Sequence, residues 1–335
     1  MQLRSCVKLS LTTALIAAAL FIASPAAAES DTAWGLGPIA LDNAYPLARI
    51  HVSASPISPE VKPADTLSLY SSFSWSNTFN VYKGHYSVDT EHRTFRLGGT
   101  YSPSDVLELS AELPIEYRGG GILDSLIDNW HTFFGLPRGG RNDVPENRFA
   151  VHGINMDETE YAFDIDGTKF GTAALGAKYL LMRGSQTEPA LAAFAKVGLP
   201  TGADTYGHNG LDLLGGLSLS SRIESFIIYG SAAYYYFSDT EVAGVELSQH
   251  NASASLTVEY EATRNLSLLL GSTYYSNMVK SIENFPNYAF YLDFGLKYLY
   301  TNQTRLELLL RENPTPRLGS TDVTLHLGIA VDFEV

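Results

Sequence analysis

Residues 287–300 read NYAFYLDFGLKYLY. Tyr288, Phe290, Leu292, Phe294, Leu296 and Tyr298 share one side of a two-residue period, and Tyr291, Asp293, Gly295 and Lys297 share the other. Successive side chains of a β-strand point to opposite faces, so this stretch presents one apolar face and one mixed, charged face. The pattern outlasts the roughly 5–6 residues of a soluble strand and suits a tilted strand crossing a bilayer, which needs about 9–11. The chain ends in the same way. Val323, Leu325, Leu327, Ile329, Val331 and Phe333 oppose Thr324, His326, Gly328, Ala330, Asp332 and Glu334.

Working outward, the same period predicts twelve strands, at 66–82, 87–101, 105–118, 168–183, 188–199, 209–221, 224–237, 247–260, 264–277, 287–300, 303–313 and 320–334. Their connections alternate between short turns and longer links, the one exception being the tight link near Lys83–Tyr86. Short periplasmic turns, long outer loops and an even strand number characterise bacterial barrels. Hydrocarbon cannot satisfy an open sheet edge, so the sheet must close. The expected fold is all-β, a transmembrane antiparallel β-barrel of about 12 strands. Tyr101, Tyr117, Tyr179, Tyr260, Tyr274, Tyr288 and Tyr298 are candidates for its interfacial girdle.

One segment breaks the period. In the long outer link 119–167, GGGILDSLIDNWHTFFGLPRGGR spaces Ile122, Leu123, Leu126, Ile127, Trp130, Phe133 and Phe134 by three and four residues, predicting a helix over 122–134. Its polar face is acidic or neutral, unlike the Lys- and Arg-rich face of a typical membrane-surface helix. Ile122, Leu126, Trp130, His131, Phe133 and Phe134, with Arg138 and Arg141 beyond, are candidates for a cap or an entry gate.

The N-terminus supplies an address. Arg4 and Lys8 precede an apolar run from Leu9 to Ala23, and Ala26–Ala28 offers a small-residue cleavage site, so residues 1–28 are expected to be a signal peptide. Cys6, the single cysteine, would leave with it, removing thiol and disulfide chemistry. Residues 29–65 carry several prolines and no period and are expected as a periplasmic lead-in, with the barrel at 66–335. The mature chain would hold 20 basic and 36 acidic residues, a net of −16. Such a balance argues against nucleic acid, whose binding rests on neutralising phosphates. The expected location is the outer membrane of a Gram-negative bacterium, with outer-membrane lipid and lipopolysaccharide, the barrel-assembly machinery and a small-molecule solute as partners.

With the apolar faces toward lipid, the lumen is lined by Arg96, Glu108, Glu112, Glu116, Lys178, Lys196, Asp293, Lys297, Arg305, Glu307 and Arg311, with Asp212 and Glu259 also facing in. Two readings stand: compensating ion pairs that fill the lumen, or a narrow charged pore. No cofactor or metal is expected. Asp164-Ile165-Asp166-Gly167 lacks the later ligands of a calcium loop, although an ion bridging the acidic tract to lipopolysaccharide stays open. His51/Ser53 and His85/Ser87 have the two-residue spacing of an outer-membrane lipid hydrolase, but no orienting third residue accompanies them.

The segment LELSAELPIEYRGGGILDSLIDNWHTFFGLPRGGRNDVPENRF, with GPIALDNAYPL near the mature start, resembles an uncharacterised bacterial family, domain of unknown function 3187. The matching positions are Gly119–Gly121, Leu123-Asp124, His131, Phe134–Pro137 and Gly139–Arg141. The resemblance implies an outer-membrane protein and carries no activity with it. LAAFAKVGLPTG at 191–202 is also similar to a strand-and-loop signature of outer-membrane proteins linked to uptake of aromatic compounds. One departure is the C-terminus, Asp332-Phe333-Glu334-Val335, where such barrels usually end on an aromatic residue. The leading functional expectation is a passive channel or binder for small apolar or amphipathic solutes. A structural or assembly barrel with a plugged lumen and a surface hydrolase are the alternatives.

Overall fold

The computed structural model describes residues 35–135, 141–164, 167–185, 187–202, 204–314 and 319–335. Twelve strands close into one antiparallel barrel: β1 Thr66–Tyr82, β2 Tyr86–Ser104, β3 Leu107–Gly119, β4 Ala173–Met182, β5 Ala190–Leu199, β6 Asp212–Ile223, β7 Phe226–Phe237, β8 His250–Thr263, β9 Leu266–Ser276, β10 Tyr288–Leu299, β11 Thr304–Glu312 and β12 Val323–Glu334. Each strand pairs with its neighbours in sequence, and β1 meets β12 from Thr66↔Glu334 to Asn77↔Val323. The twelve expected strands are all present, most within three residues at each end.

Alternation fixes which face goes where. Leu69, Phe73, Leu97, Leu109, Leu217, Leu270, Phe294 and Leu327 are exposed on the outer wall. Thr94, Glu116, Lys178, Asp293, Arg311 and His326 are buried inside. An outward apolar band and a polar interior are what hydrocarbon demands of a barrel. Tyr101, Tyr179, Tyr260, Tyr274, Tyr288 and Tyr298 of the expected girdle are exposed on the outer face. The short turns gather at one end with Thr66 and Glu334, and this is the inner, periplasmic end by the loop-length rule.

Two expected features take a different form. The strand expected over 168–183 is interrupted at Gly171-Thr172: Thr168–Phe170 pairs with the outer part of β3, and β4 begins at Ala173. The break faces Pro114, whose carbonyl accepts Gly171 N at 3.0 Å. Proline has no N–H to give the ladder, so its carbonyl alone is left to bond the neighbouring strand there. The long link 119–167 also holds a hairpin, Ala150–Ile154 with Glu160–Phe163, which extends the sheet beyond β2 through Tyr86↔Gly153.

The helix, α1 (Leu123–Phe134), is seated on the outer wall, where Asp124 accepts from the outward-facing Asn77 at 3.0 Å. Glu91, outward-facing on β2, caps it by accepting Leu123 N, placing a carboxylate at the positive end of the helix dipole. A Cβ on Gly121 would fall 1.7 Å from that carboxylate, so no larger residue fits this approach. Gly135, at φ 67°, ends the helix in the left-handed conformation.

The largest departure is the segment before β1. Residues 35–65 do not form a periplasmic lead-in but thread the barrel. Ile39, Leu41, Tyr45, Leu47, Ile50 and Val52 are buried. The segment is too apolar for a solvated tether and too irregular for a strand, and the lumen wall supplies the partners its backbone needs.

Candidate functional site: a plugged lumen

The plug enters from the inner end, climbs, turns and returns to β1. At the inner end Glu259 accepts Leu36 N at 2.7 Å and Gly37 N at 3.1 Å, and Lys297 Nζ donates to Pro38 O at 2.7 Å. Higher up, Asp42 pairs with Arg96, and Asn43 Oδ1 accepts Tyr291 Oη at 2.9 Å. The same Asn43 oxygen accepts Tyr45 N at 3.1 Å, and Ala48 N and Arg49 N both bond back to Tyr45 O, so the chain reverses here. The returning limb gives Lys178 the carbonyls of Ser58 and Glu60, and Lys62 reaches Asp332.

The tip of this hairpin closes the outer mouth. Tyr45, Leu47, Ala48 and Ile50 pack with Tyr86, Val88, Val151, Tyr161 and Phe163 and with Val242, Val245, Leu247, Val279 and Ile282 from the outer loops. Loop-to-loop bridges at Asn155↔Ile282 and Leu247↔Val279 tie the roof together.

Below the tip, three anchors hold the plug to the wall. Arg49 donates to Glu116 Oε1 from Nε at 3.2 Å and Nη2 at 2.8 Å. Arg311 grips Asp293 from Nε (2.6 Å) and Nη2 (2.9 Å), and its Nη1 donates to the plug carbonyl of Asp42 at 2.8 Å. The third anchor is His51, stacked on Phe237 and bonded through Nδ1 to Asp212 Oδ1 at 3.0 Å. Asp212 Oδ2 accepts Val52 N at 2.7 Å and meets His208 Nε2 at 2.9 Å.

Two histidines around one carboxylate resemble a metal site, and they are the one such cluster among the described residues. The tautomer argues otherwise. Gly210 N donates to His208 Nδ1 at 3.2 Å, so the proton is on Nε2 and points at Asp212. A metal-bound imidazole needs the opposite arrangement, with its second nitrogen donating. Asp212 therefore acts as a triple hydrogen-bond acceptor locking the plug.

Burial acts on both plug groups. For Asp42 it favours the neutral acid, but Arg96 foremost, with Lys196, Ser55 and Arg49, overrides it and holds the carboxyl down at about 2. For His51 burial prevails over the attraction of Asp212 and lowers its pKa below 6.5, so the imidazole sits neutral.

In the inner half the lumen opens beside the two limbs of the plug. A cavity of about 940 Å³ extends from Arg96, Glu112 and Phe194 down to Pro63, Asp105, Arg183 and Gly184 at the inner rim. Its walls carry Glu108–Lys178 (3.0 Å), Glu112–Lys196 (3.1 Å) and Lys297–Glu307 (3.3 Å), and His326 approaches Glu307 at 3.1 Å. Arg305 also lines it and makes no ion pair among the described residues. All eleven charged residues expected in the lumen face it. They divide: Glu116, Asp293 and Arg311 bind or back the plug in the outer half and Arg96 does so at the border; the other seven line the cavity, where Lys178 and Lys297 also bind plug carbonyls.

The described residues expected at a gate lie on the outside of the barrel. Ile122, Leu126 and Phe133 are exposed on the outside of the barrel. Arg141 braces the loop at the wall through Asp124 (2.5 Å), Asn77 (2.6 Å) and Asp322. Arg138 and the side chains of Trp130, His131 and Phe134 lie outside the described residues, as does Asp166. The hydrolase pairs come apart as well. His51 serves Asp212, Ser87 Oγ accepts Arg148 Nη2 at 3.3 Å, and His85 faces Glu283 at 3.5 Å. Sequence reasoning missed Asp42, Arg49, His51 and His208 as site residues. The available signal was the density of apolar residues between Leu36 and Val52 in a segment with no period.

A closed twelve-stranded barrel with a lipid-facing apolar band and a lumen filled at one end defines an outer-membrane β-barrel protein. The chain belongs to the family described as "Protein of unknown function (DUF3187)", whose pattern matches residues 14–333. No curated protein matches it. Among solved structures it is similar to the COG4313 outer membrane channel from Pseudomonas putida F1, at 14% identity and a TM-score of 0.59, over 84% of this chain and 100% of that one. Weaker likenesses are the NanC porin (10% identity, TM-score 0.46, 79% of this chain and 98% of that one) and the KdgM porin (7%, 0.42, 80% and 99%). The first of these speaks to the fold.

Proposed function

We propose that this protein is an outer-membrane channel gated by its own N-terminal hairpin, conducting small amphipathic solutes that bear an anionic group. The observation that carries this reading is the cavity of about 940 Å³ that reaches the inner rim and ends blind against the plug. A barrel needing only a filled lumen would have no use for a space of that size, which falls within the range of ligand sites. Seven basic side chains border it (Lys62, Arg96, Lys178, Arg183, Lys196, Lys297 and Arg305) against five acidic ones (Glu60, Asp105, Glu108, Glu112 and Glu307). That balance runs against the acidic chain as a whole and supports a preference for anions. The polar walls argue against purely apolar solutes.

The test is planar-bilayer recording of the full mature chain beside an Arg49→Ala/His51→Ala variant, each checked for folding by its heat-dependent gel shift. The wild type is expected to stay mostly closed and the variant to conduct, with anion selectivity. A folded variant as silent as the wild type would favour the second reading, a structural barrel with a permanent plug. That reading draws on the buried Arg311–Asp293 and Arg49–Glu116 pairs. Export by cleavage after Ala28 belongs to the same proposal, and mass spectrometry of the mature chain checks it.

A further inference from the structure

We infer that α1 is an interfacial helix whose Ile122, Leu126 and Phe133 insert among the acyl chains of the outer leaflet. These side chains are 66%, 58% and 82% exposed, while Leu123 and Ile127, on the adjoining arc, are buried against the wall. At 100° per residue the three exposed apolar groups fall within one narrow stripe, flanked on the far side by Asn129, Ser125 and Thr132. The buried arc ends at Asp124. Apolar and polar edges therefore lie on opposite flanks of a helix fixed to the barrel.

Height decides what the apolar flank touches. Tyr101 belongs to the inner aromatic belt, and Glu91, which caps α1, lies ten residues further out on the same strand. At roughly 3.3 Å per residue and a tilt near 40°, ten residues climb about 25 Å, the height of the apolar band of a barrel. One rung below the cap, Trp75, Arg93 and Tyr117 sit side by side on β1, β2 and β3. Arg93 lies 4.9 Å from the Trp75 ring centroid and 5.4 Å from that of Tyr117. Aromatic rings with a stacked cation mark the outer interface. The helix starts at that level.

Its orientation follows from the acidic edge. Asp124 binds Arg141 and accepts Asn147 N, and a cavity of about 230 Å³ beside it is shared with Asp128, Phe79 and Asp89. Phe79 and Asp89 lie two residues further outward on their strands than the Asn77–Glu91 rung. The acidic edge thus points away from the membrane, and the edge carrying Ile122, Leu126 and Phe133 points toward it. Arg141 neutralises Asp124 at the wall, so the helix needs no Lys- and Arg-rich face to approach anionic headgroups. The lipid contact continues the exposed apolar band of Phe73, Leu97 and Leu109 directly below.

Loss of Cys6 with the leader makes single-cysteine labelling clean. Leu126→Cys and Phe133→Cys, Asn129→Cys on the polar flank and Leu327→Cys on the lipid-facing wall would carry bimane on the full mature chain in phosphatidylcholine vesicles. Folding is checked by gel shift. Lipids spin-labelled near the headgroup are expected to quench positions 126 and 133 within about two-fold of position 327, with iodide quenching at least about three-fold below position 129. Iodide quenching at 126 and 133 equal to that at 129, without lipid quenching, would overturn the inference. So would shielding from both quenchers, which would mean that another protein surface covers the helix.

Discussion

In the outer half of the lumen Arg311, Arg49 and His51 are sealed from water, each bonded to a wall carboxylate and each touching or belonging to the plug. In the inner half Lys196, Glu112, Lys178 and Glu108 form ion pairs of similar length but border a cavity of about 940 Å³. The side chains are of the same types, and the solvent differs. A buried ion pair broken on one side leaves an uncompensated charge in a poor dielectric, at a cost of about 3–5 kcal/mol. A pair at the border of the cavity loses less, because water can partly replace the partner. The dry anchors of the outer half should therefore contribute most to docking, with Glu259, Lys297 and Lys178 adding contacts at the inner end, and the charges facing the cavity should decide which ions pass beside the plug.

Arg311→Ala should give the largest effect. It strands Asp293 in the wall and removes the donor to Asp42 O, so unfolding in detergent, followed by gel shift against urea, should show a loss of about 3–5 kcal/mol. A loss under 1 kcal/mol would mean that water reaches the outer half and that the division is unreal.

Arg49→Ala should come next. Glu116 would keep only Arg118, whose nearest nitrogen is 3.9 Å away. The expected cost is about 2–4 kcal/mol, since a hydrogen-bonded charge loses its partner while buried. Because Arg49 belongs to the plug, the change should also raise conductance, whereas Arg311→Ala need not do so if the barrel itself loosens first. Stability and conductance measured together thus separate wall from plug.

Acid should undock the plug in two stages. The His51 pKa is lowered on docking, so docking stability is fully present above 6.5 and falls as pH drops below it, until the docked His51 also takes a proton. Asp42 is lowered as well, to about 2, so its contribution is present above its free value near 3.8 and disappears as pH falls from there toward 2. Conductance recorded from pH 7 to pH 3 should rise in the first window for the wild type. His51→Ala should remove that rise and leave the second.

Much of this architecture was legible in the sequence because lipid imposes a period. Residues 288–298 alternate as they do because one face meets hydrocarbon, and that requirement repeats in every strand. It also places Glu112 and Glu116 inward, four residues apart on β3. It says nothing of which one meets water, because that depends on a plug whose own residues obey no period. Asp42, Arg49 and His51 sit where the irregular backbone of residues 35–65 finds partners on seven different strands. No local pattern encodes such distant pairings. The helix was legible as a helix, and its apolar face as a face needing cover. Its site on the outer wall follows from Glu91 capping Leu123, a contact between residues 32 positions apart.

The smallest effect on stability should come from Arg305→Glu, and it tests the inner half alone. Arg305 borders the cavity and has no ion pair among the described residues, so its removal strands no carboxylate. Stability should change by less than about 1 kcal/mol, as for a solvated charge. Reversal of the charge nevertheless turns a border of seven cations and five anions into six and six. In the Arg49→Ala/His51→Ala background, where the channel is open, the reversal potential in a salt gradient should move toward cations. The same substitution in the plugged chain should leave conductance as low as before. If it opened the plugged chain, Arg305 would itself be holding the plug, and the distinction between a dry anchor and a cavity-facing charge would have to be given up.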